Sequence, residues 1–307
     1  MSTLSGLGER GILFFPVTPF GPDDTPELDV LGEHIENGIS WAPDAVFVAC
    51  GTGEYPALTV REYRAVVARA VETVAGRVPV ISGAGYTAAI ASEYIANAAA
   101  AGADGVLLFP PLGPSTQYGL VQHYETVAAR SELPIVLYQR DGIKLTPDTV
   151  RRLLDVPNIV GLKDGTGDLE RLSQTVLLAR DRWTFFNGMP TAELSARAYG
   201  GVGVRPYSSA VFAFLPELAT AFRRALADGD DATTELMLRE FYGPLGQLRD
   251  KAPGYAVSLV KAGVSCRGLA AGPVRAPLPQ PSDEHVDALR RLIELGLGLA
   301  ETSGMLV

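Results

Sequence analysis

The sequence predicts a (β/α)8 barrel with a C-terminal helical extension, and three observations carry that expectation. Eight short apolar runs, rich in β-branched and aromatic residues, recur along the chain at intervals long enough for a crossover helix. The segments between them are longer, Ala-rich and helical in period. After the eighth run no strand-like pattern returns, and the chain continues as helices from "LPELATAFRRALADG" to "EHVDALRRLIELGLGLA".

The runs are GILFFPV from Gly11, AVFVAC from Ala45, VPVISG from Val78, GVLLFP from Gly105, PIVLYQ from Pro134, NIVGLK from Asn158, WTFFNG from Trp183 and GVGVRP from Gly201. Their hydrophobicity is continuous rather than alternating, as in strands of a parallel sheet covered on both faces. Helix starts support the spacing. Thr59 with Glu62 three residues later reads as a capping box, and Thr146 followed by Pro147 reads as a cap with proline at the first helical position. Residues 1–225 are assigned to the barrel and 226–307 to the extension. The Pro/Gly-rich GLAAGPVRAPLPQPS is a loop between two helices of that extension, which is expected to pack on the outside of the barrel or to make subunit contacts.

Composition excludes several function classes. With 307 residues, 47% hydrophobic and 20% charged, the chain has globular composition and enough mass for a large core. A formal charge of -9 argues against nucleic acid or an anionic membrane as the main partner, since both require a basic face. An anionic substrate therefore needs a locally positive pocket. Two cysteines, Cys50 and Cys266, are too few for a disulfide framework. The start MSTLSGLGER lacks the basic and apolar regions of a signal peptide, so a cytoplasmic location is expected.

In a barrel of this kind the segments just after the strands build the active site. The second run ends CGTGE, where Gly51, Thr52 and Gly53 offer close backbone approach, N–H groups and a hydroxyl suited to a carboxylate. The fifth ends in Tyr138, Arg140 and Asp141, and the sixth in Lys163 and Asp164. Each has a plainer reading. The glycines make a tight turn, Tyr138 is a core aromatic, Arg140 and Asp141 pair at the rim, and Lys163 is a solvated residue leaving a strand. Asp164 and Asp168 are separated only by GTG, without a histidine or a third carboxylate, and read as turn and cap rather than metal ligands. Cys50 reads as a buried structural thiol, because His34, His123 and His285 all fall in helical patterns.

Taken together, the GTGE turn, the tyrosine closing strand five in VLYQRDG and the lysine closing strand six in VGLKDGTGD resemble the Schiff-base-forming dihydrodipicolinate synthase and N-acetylneuraminate lyase superfamily. Within it, ACGTGE, the Tyr-X-Arg-Asp stretch, KDGTGD, YSSAVF and GYAVSLVKAG are similar, in that order, to the 5-dehydro-4-deoxyglucarate dehydratase branch. Departures are visible too. Cys50 stands where the wider superfamily has a glycine, the synthase's paired threonines are reduced to Thr52, and Pro111 and Leu112 replace a tyrosine pair after strand four. Arg205 is unexpected for the wall of the site near strand eight.

The resemblance implies a decarboxylating dehydratase, a tetramer, and no metal or organic cofactor. It makes Lys163 the imine-forming amine and Tyr138 the proton-transferring phenol. Thr52, Gly51 and Gly53 would hold the carboxylate beside the ketone, Arg140 the distal carboxylate, and Asn187, Gly188, Ser208 and Ser209 would line the site. The small-molecule partner would be a 2-keto sugar acid. Two further readings stay open on sequence: a 2-keto acid aldolase using the same Lys163 enamine, and a non-catalytic sugar-acid-binding barrel.

Overall fold

Runs of consecutive apolar residues leave no face for water, so each strand must be covered on both sides. The chain meets this demand by closing the sheet. In the computed structural model, which describes residues 7, 11–113, 115–140 and 142–303, eight parallel strands form a closed barrel in sequence order. They are β1 Ile12–Phe14, β2 Ala45–Val48, β3 Val80–Ala84, β4 Gly105–Leu108, β5 Ile135–Gln139, β6 Ile159–Asp164, β7 Thr184–Asn187 and β8 Tyr207–Ser209. Closure is made by β1 on β8, with Leu13 opposite Ser208.

The helices that return the chain are α1 Leu28–Ile39, α2 Val60–Val74, α3 Ala88–Ala100, α4 Gln117–Ala128, α5 Pro147–Leu153, α6 Leu169–Ala179, α7 Ala196–Gly201 and α8 Pro216–Asp228. Both expected starts are present. Thr59 and Glu62 form the capping box of α2, and Thr146 caps α5 ahead of Pro147; caps of this kind are worth about 1 kcal/mol each. The extension adds α9 Asp231–Met237, α10 Gly243–Arg249, α11 Tyr255–Cys266 and α12 Asp283–Thr302, with a π-helical turn at Leu238–Tyr242.

Alternation along the strands divides the apolar residues into two cores. Leu13, Phe15, Phe47, Ile81, Leu107, Val136, Tyr138 and Phe186 fill the barrel interior. Ile12, Phe14, Val46, Leu108, Leu137, Leu162 and Phe185 face the helices. Phe15 stacks on Phe47 at 4.6 Å between centroids, and Phe186 meets Phe47 edge-on at 6.4 Å. This aromatic plug forms the floor of the C-terminal end of the barrel.

The eighth run is a correction. GVGVRP forms the end of α7 and a turn, and the strand begins only at Tyr207. Gly203 takes φ +88° and the Val204 N–H closes back on the Tyr199 carbonyl, which ends the helix before the sheet starts. Arg205 consequently lies before β8, at the opposite end from the strand termini that carry the site, and is exposed. It does not shape the wall of the site. The extension also differs from expectation, because α11 reaches over the mouth of the barrel rather than only its outside, as described below.

Strand packing is closest at Gly83 in β3. A Cβ there would stand 2.3 Å from the Ala49 carbonyl oxygen and 3.1 Å from Cys50 Cα, and backbone cannot yield as a side chain does. Gly83→Ala is expected to destabilise the fold by about 1–3 kcal/mol, read as a lower midpoint in urea; an unchanged midpoint would contradict this packing.

Candidate active site

Lys163 is the fifth residue of β6. Its neighbour Leu162 faces the helices, so alternation turns Lys163 inward. Register places it opposite Tyr138 on β5 and Phe186 on β7. Its Nζ sits 4.2 Å from the centroid of the Tyr138 ring and 4.3 Å from that of Phe15. The side chain is 6% exposed. Among the described residues no carboxylate pairs with it.

Burial is the first cause that lowers the Lys163 pKa, to about 7. The nearby Arg140 guanidinium lowers it further, and Cys50 opposes. That opposition is small near pH 7, because burial pushes the Cys50 thiol up to about 12 and leaves it uncharged. A Lys amine of this kind is substantially free at neutral pH and can act as a nucleophile.

The adjacent Asp164 is fully buried but does not face the amine. Its Oδ1 accepts from Gln139 Nε2 at 2.7 Å and from Thr166 Oγ1 at 2.7 Å, and its Oδ2 accepts from the Tyr199 hydroxyl. Asp168 caps α6 through the Arg171 N–H and pairs with Lys144 at 3.0 Å. These contacts are the turn and cap that the sequence predicted for the two acids.

A cavity of about 140 Å³ opens above Lys163. It is lined by Gly51 and Thr52 after β2, Tyr138 on β5 and Arg140 just after it, Gly188 after β7 and Ser208 on β8. Among the described residues, the charged side chains lining it are Lys163 and Arg140. Two basic groups there suit an anionic ligand in a chain of charge -9. A larger space of about 480 Å³ adjoins it, sharing Gly51, Arg140 and Val257 in its lining. The smaller one holds the amine and the phenol.

Tyr138 offers its ring face to Lys163, and its hydroxyl donates to the Gly188 carbonyl at 3.2 Å. Gly188 is required here by close approach, since a Cβ would lie 2.7 Å from Lys163 Cγ. Arg140 stands with Cζ 5.4 Å from the Tyr138 ring centroid; Asp141, its expected rim partner, lies outside the described residues.

Three expected lining residues are placed elsewhere. Asn187 points away from the cavity, donating to the Ala192 carbonyl and Ser195 Oγ, both at 3.0 Å, while its Oδ1 accepts the Met189 N–H. Ser209 is fully buried and donates to Glu193 Oε1 at 2.5 Å. Both follow inward residues, Phe186 and Ser208, so the two-residue period turns them outward. Gly53 does not line the cavity; its carbonyl accepts from Thr18 Oγ1 at 2.7 Å, and a Cβ would crowd Ala49.

Other residues join the site without having been singled out in the sequence. Phe15 forms the floor, Met189, Pro190 and Ala210 form the side, and Ala256 and Val257 of α11 form the roof. For Phe15 the signal was present, as the residue continuing the inward parity of β1 past Leu13. For α11 the motif GYAVSLVKAG was visible, though nothing in its period said which side of the barrel it would cover.

The chain is similar to known proteins over most of its length. Residues 9–295 match the model of the dihydrodipicolinate synthetase family. The chain belongs to that family. It is 50% identical to the probable 5-dehydro-4-deoxyglucarate dehydratase 1 of Streptomyces coelicolor, over 95% of this chain and 94% of the relative. It is 43% identical to the probable 5-dehydro-4-deoxyglucarate dehydratase of Bradyrhizobium diazoefficiens, over 92% and 91%. Among solved structures it is similar to dihydrodipicolinate synthase from Bacillus clausii, at TM-score 0.85 and 26% identity over 93% of this chain and 97% of that one. A prophage protein of the same family from E. coli, solved in complex with pyruvate, superposes at TM-score 0.83 and 25% identity, over 94% and 98%. The resemblance read from the five motifs, and the barrel it implied, are thereby borne out.

Burying the amine has a stability consequence with a definite sign. The folded-state pKa lies below the ordinary 10.5, so between the two values the unfolded chain binds the proton more readily and stability rises with pH. The penalty is full below pH 7, at up to about 5 kcal/mol, and fades toward pH 10.5. Lys163→Met is expected to raise the thermal midpoint at pH 6–7, with the gain shrinking in alkaline buffer; a variant less stable than the parent at pH 6 would contradict the desolvated amine.

Proposed function

We propose that the protein is a dehydratase that decarboxylates in the same catalytic cycle, converting 5-dehydro-4-deoxy-D-glucarate to 2,5-dioxopentanoate, carbon dioxide and water through a Schiff base on Lys163. The observation that carries this reading is a desolvated, nucleophilic amine facing Tyr138 in a cavity whose charged side chains, among the described residues, are Lys163 and Arg140. The names of the relatives supply the substrate class.

The chemistry follows from the imine. Condensation of Lys163 Nζ with the ketone releases water and leaves a protonated imine, which acidifies the adjacent methylene. Loss of that proton gives an enamine, and the enamine expels the neighbouring hydroxyl as water. The resulting conjugated imine accepts the electron pair of the bond to the far carboxylate, so carbon dioxide departs and a dienamine remains. Protonation and hydrolysis then return the free amine and the 5-carbon product.

Tyr138 is the proton carrier in this scheme, donating to the carbinolamine hydroxyl after its hydrogen bond to Gly188 is exchanged for one to substrate. Thr52 and the Gly51 backbone take the carboxylate beside the ketone, and Ser208 lies on the opposite wall. Arg140, at the junction of the inner cavity and the larger outer space, takes the distal carboxylate, bidentately where geometry allows. An inner cavity of about 140 Å³ is small for a six-carbon diacid, so the distal end reaches to Arg140 at the edge of the outer space. The enzyme is read as a cytoplasmic homotetramer; no helix among the described residues is long and apolar enough to cross a membrane.

The test is incubation of the purified protein with 5-dehydro-4-deoxyglucarate, following carbon dioxide and 2,5-dioxopentanoate. Both products are expected from the parent and neither from Lys163→Ala; release of pyruvate instead would establish the aldolase chemistry in its place. The free amine is the reactive form, so kcat/KM should rise with pH to a plateau above about 7, being about tenfold lower at pH 6 than on the plateau. A flat profile between pH 6 and 8 would contradict an amine titrating there.

A further inference from the structure

One buried ion pair lies outside the mechanism just described. Lys261 on α11 reaches Glu54 with Nζ 2.7 Å from Oε1, and the two side chains are 1% and 0% exposed. The partners are 207 residues apart in sequence, so the pair joins the first part of the barrel to the extension. Glu54 Oε2 accepts the Arg275 N–H at 2.8 Å, which places both carboxylate oxygens on groups supplied by the extension. The Lys261 ammonium also lies 3.9 Å from the centroid of the Phe20 ring.

Glu54 follows directly on Gly51, Thr52 and Gly53. It adopts the left-handed conformation, φ 55° and ψ 36°, which is costly for a residue with a Cβ and persists only where surroundings enforce it. The Glu54 N–H turns back to the Gly51 carbonyl at 3.1 Å, and the Tyr55 N–H to that of Cys50 at 3.0 Å. The conformation of Glu54 therefore fixes the turn that offers Gly51 and Thr52 to the cavity. On the other side, Val257 precedes Lys261 by four residues and shares its face of α11. Val257 roofs the cavity while Lys261, one turn on, is tied to Glu54.

We infer that Glu54 and Lys261 are a positioning pair for the reaction, holding the Gly51–Thr52 turn and the α11 roof at the separation that a bound 2-keto carboxylate needs. The inference rests on the proposed function for the identity of the ligand. Neither residue lines the reacting cavity, and their effect passes through the turn and the roof. A buried pair can often be replaced by apolar residues without loss of stability, whereas removal of one partner strands a charge. That difference separates positioning from simple stabilisation.

Three variants make the test: Lys261→Met, the double variant Glu54→Met/Lys261→Met, and Glu54→Gln, which keeps hydrogen-bonding groups while losing the charge. Lys261→Met is expected to lower the thermal midpoint, and the double variant to recover most of it. Despite that recovery, the double variant should show KM for 5-dehydro-4-deoxyglucarate raised about tenfold or more, with kcat within about threefold of the parent, since a misplaced binding turn weakens substrate capture. Glu54→Gln should fall between the two. A double variant with parental stability and parental KM would overturn the inference, and so would a loss confined to kcat.

Hydrogen exchange at the Thr52 and Gly53 amides decides independently of turnover. Faster exchange in the double variant at a parental midpoint supports the pair's role, and parental exchange overturns it. If the double variant does not fold, the KM and exchange of Glu54→Gln decide on the same criteria. A parent protein that fails to turn over the keto diacid would sink the proposed function, leaving exchange to judge the pair.

Discussion

Placing an amine in an apolar barrel without a carboxylate opposite it is the constraint on which the rest of the site depends. Desolvation alone would cost several kcal/mol if the charge were kept. Burial lowers the Lys163 pKa to about 7, easing loss of the proton, and no counter-ion is supplied among the described residues. Asp164, adjacent in sequence, is the obvious candidate to neutralise Lys163, and its carboxylate is turned away into bonds from Gln139, Thr166 and Tyr199. Tyr138 and Phe15 then present ring faces to Nζ, which can accommodate a transient cation without binding it as a carboxylate would. Gly188 completes the arrangement by leaving room for the lysine stem.

The same constraint explains the division of labour around the barrel mouth. Strands carry the amine, the phenol and Ser208 on rigid backbone, while the loops after β2 and β5 bring Thr52, Gly51 and Arg140. The extension closes the arrangement from above through Ala256 and Val257. Two basic side chains in the described lining of the cavity, inside a protein of charge -9, make the attraction of an anion a local feature independent of net charge.

Much of this was legible in the sequence because burial on both faces leaves a strong trace. Seven of the apolar runs coincide with strands, of which β3 and β6 continue one residue further, to Ala84 and Asp164. The eighth failed where Gly203 and Pro206 broke the run and only three residues pair, so a turn was read as strand and Arg205 was set in the wrong place. Lys163, Tyr138, Thr52 and Gly51 line the cavity as expected, because residues at the C-terminal ends of barrel strands face its mouth. Asn187 and Ser209 were misplaced for a local reason: each sits one residue beyond an inward side chain, and a shift of one reverses the face. Gly53 serves the shape of its turn rather than its surface. The roof supplied by α11 and the Glu54–Lys261 pair depend on contacts across the chain, which no local pattern encodes.

Reductive trapping reads out directly whether Lys163 forms a covalent imine. The protein would be mixed with 5-dehydro-4-deoxyglucarate, or with pyruvate as the minimal keto acid, treated with borohydride, and digested for peptide mass mapping. One keto-acid adduct is expected, on the peptide containing Lys163, and none on Lys144, Lys251 or Lys261. An adduct on another lysine, or no adduct from either keto acid, would contradict imine formation at Lys163.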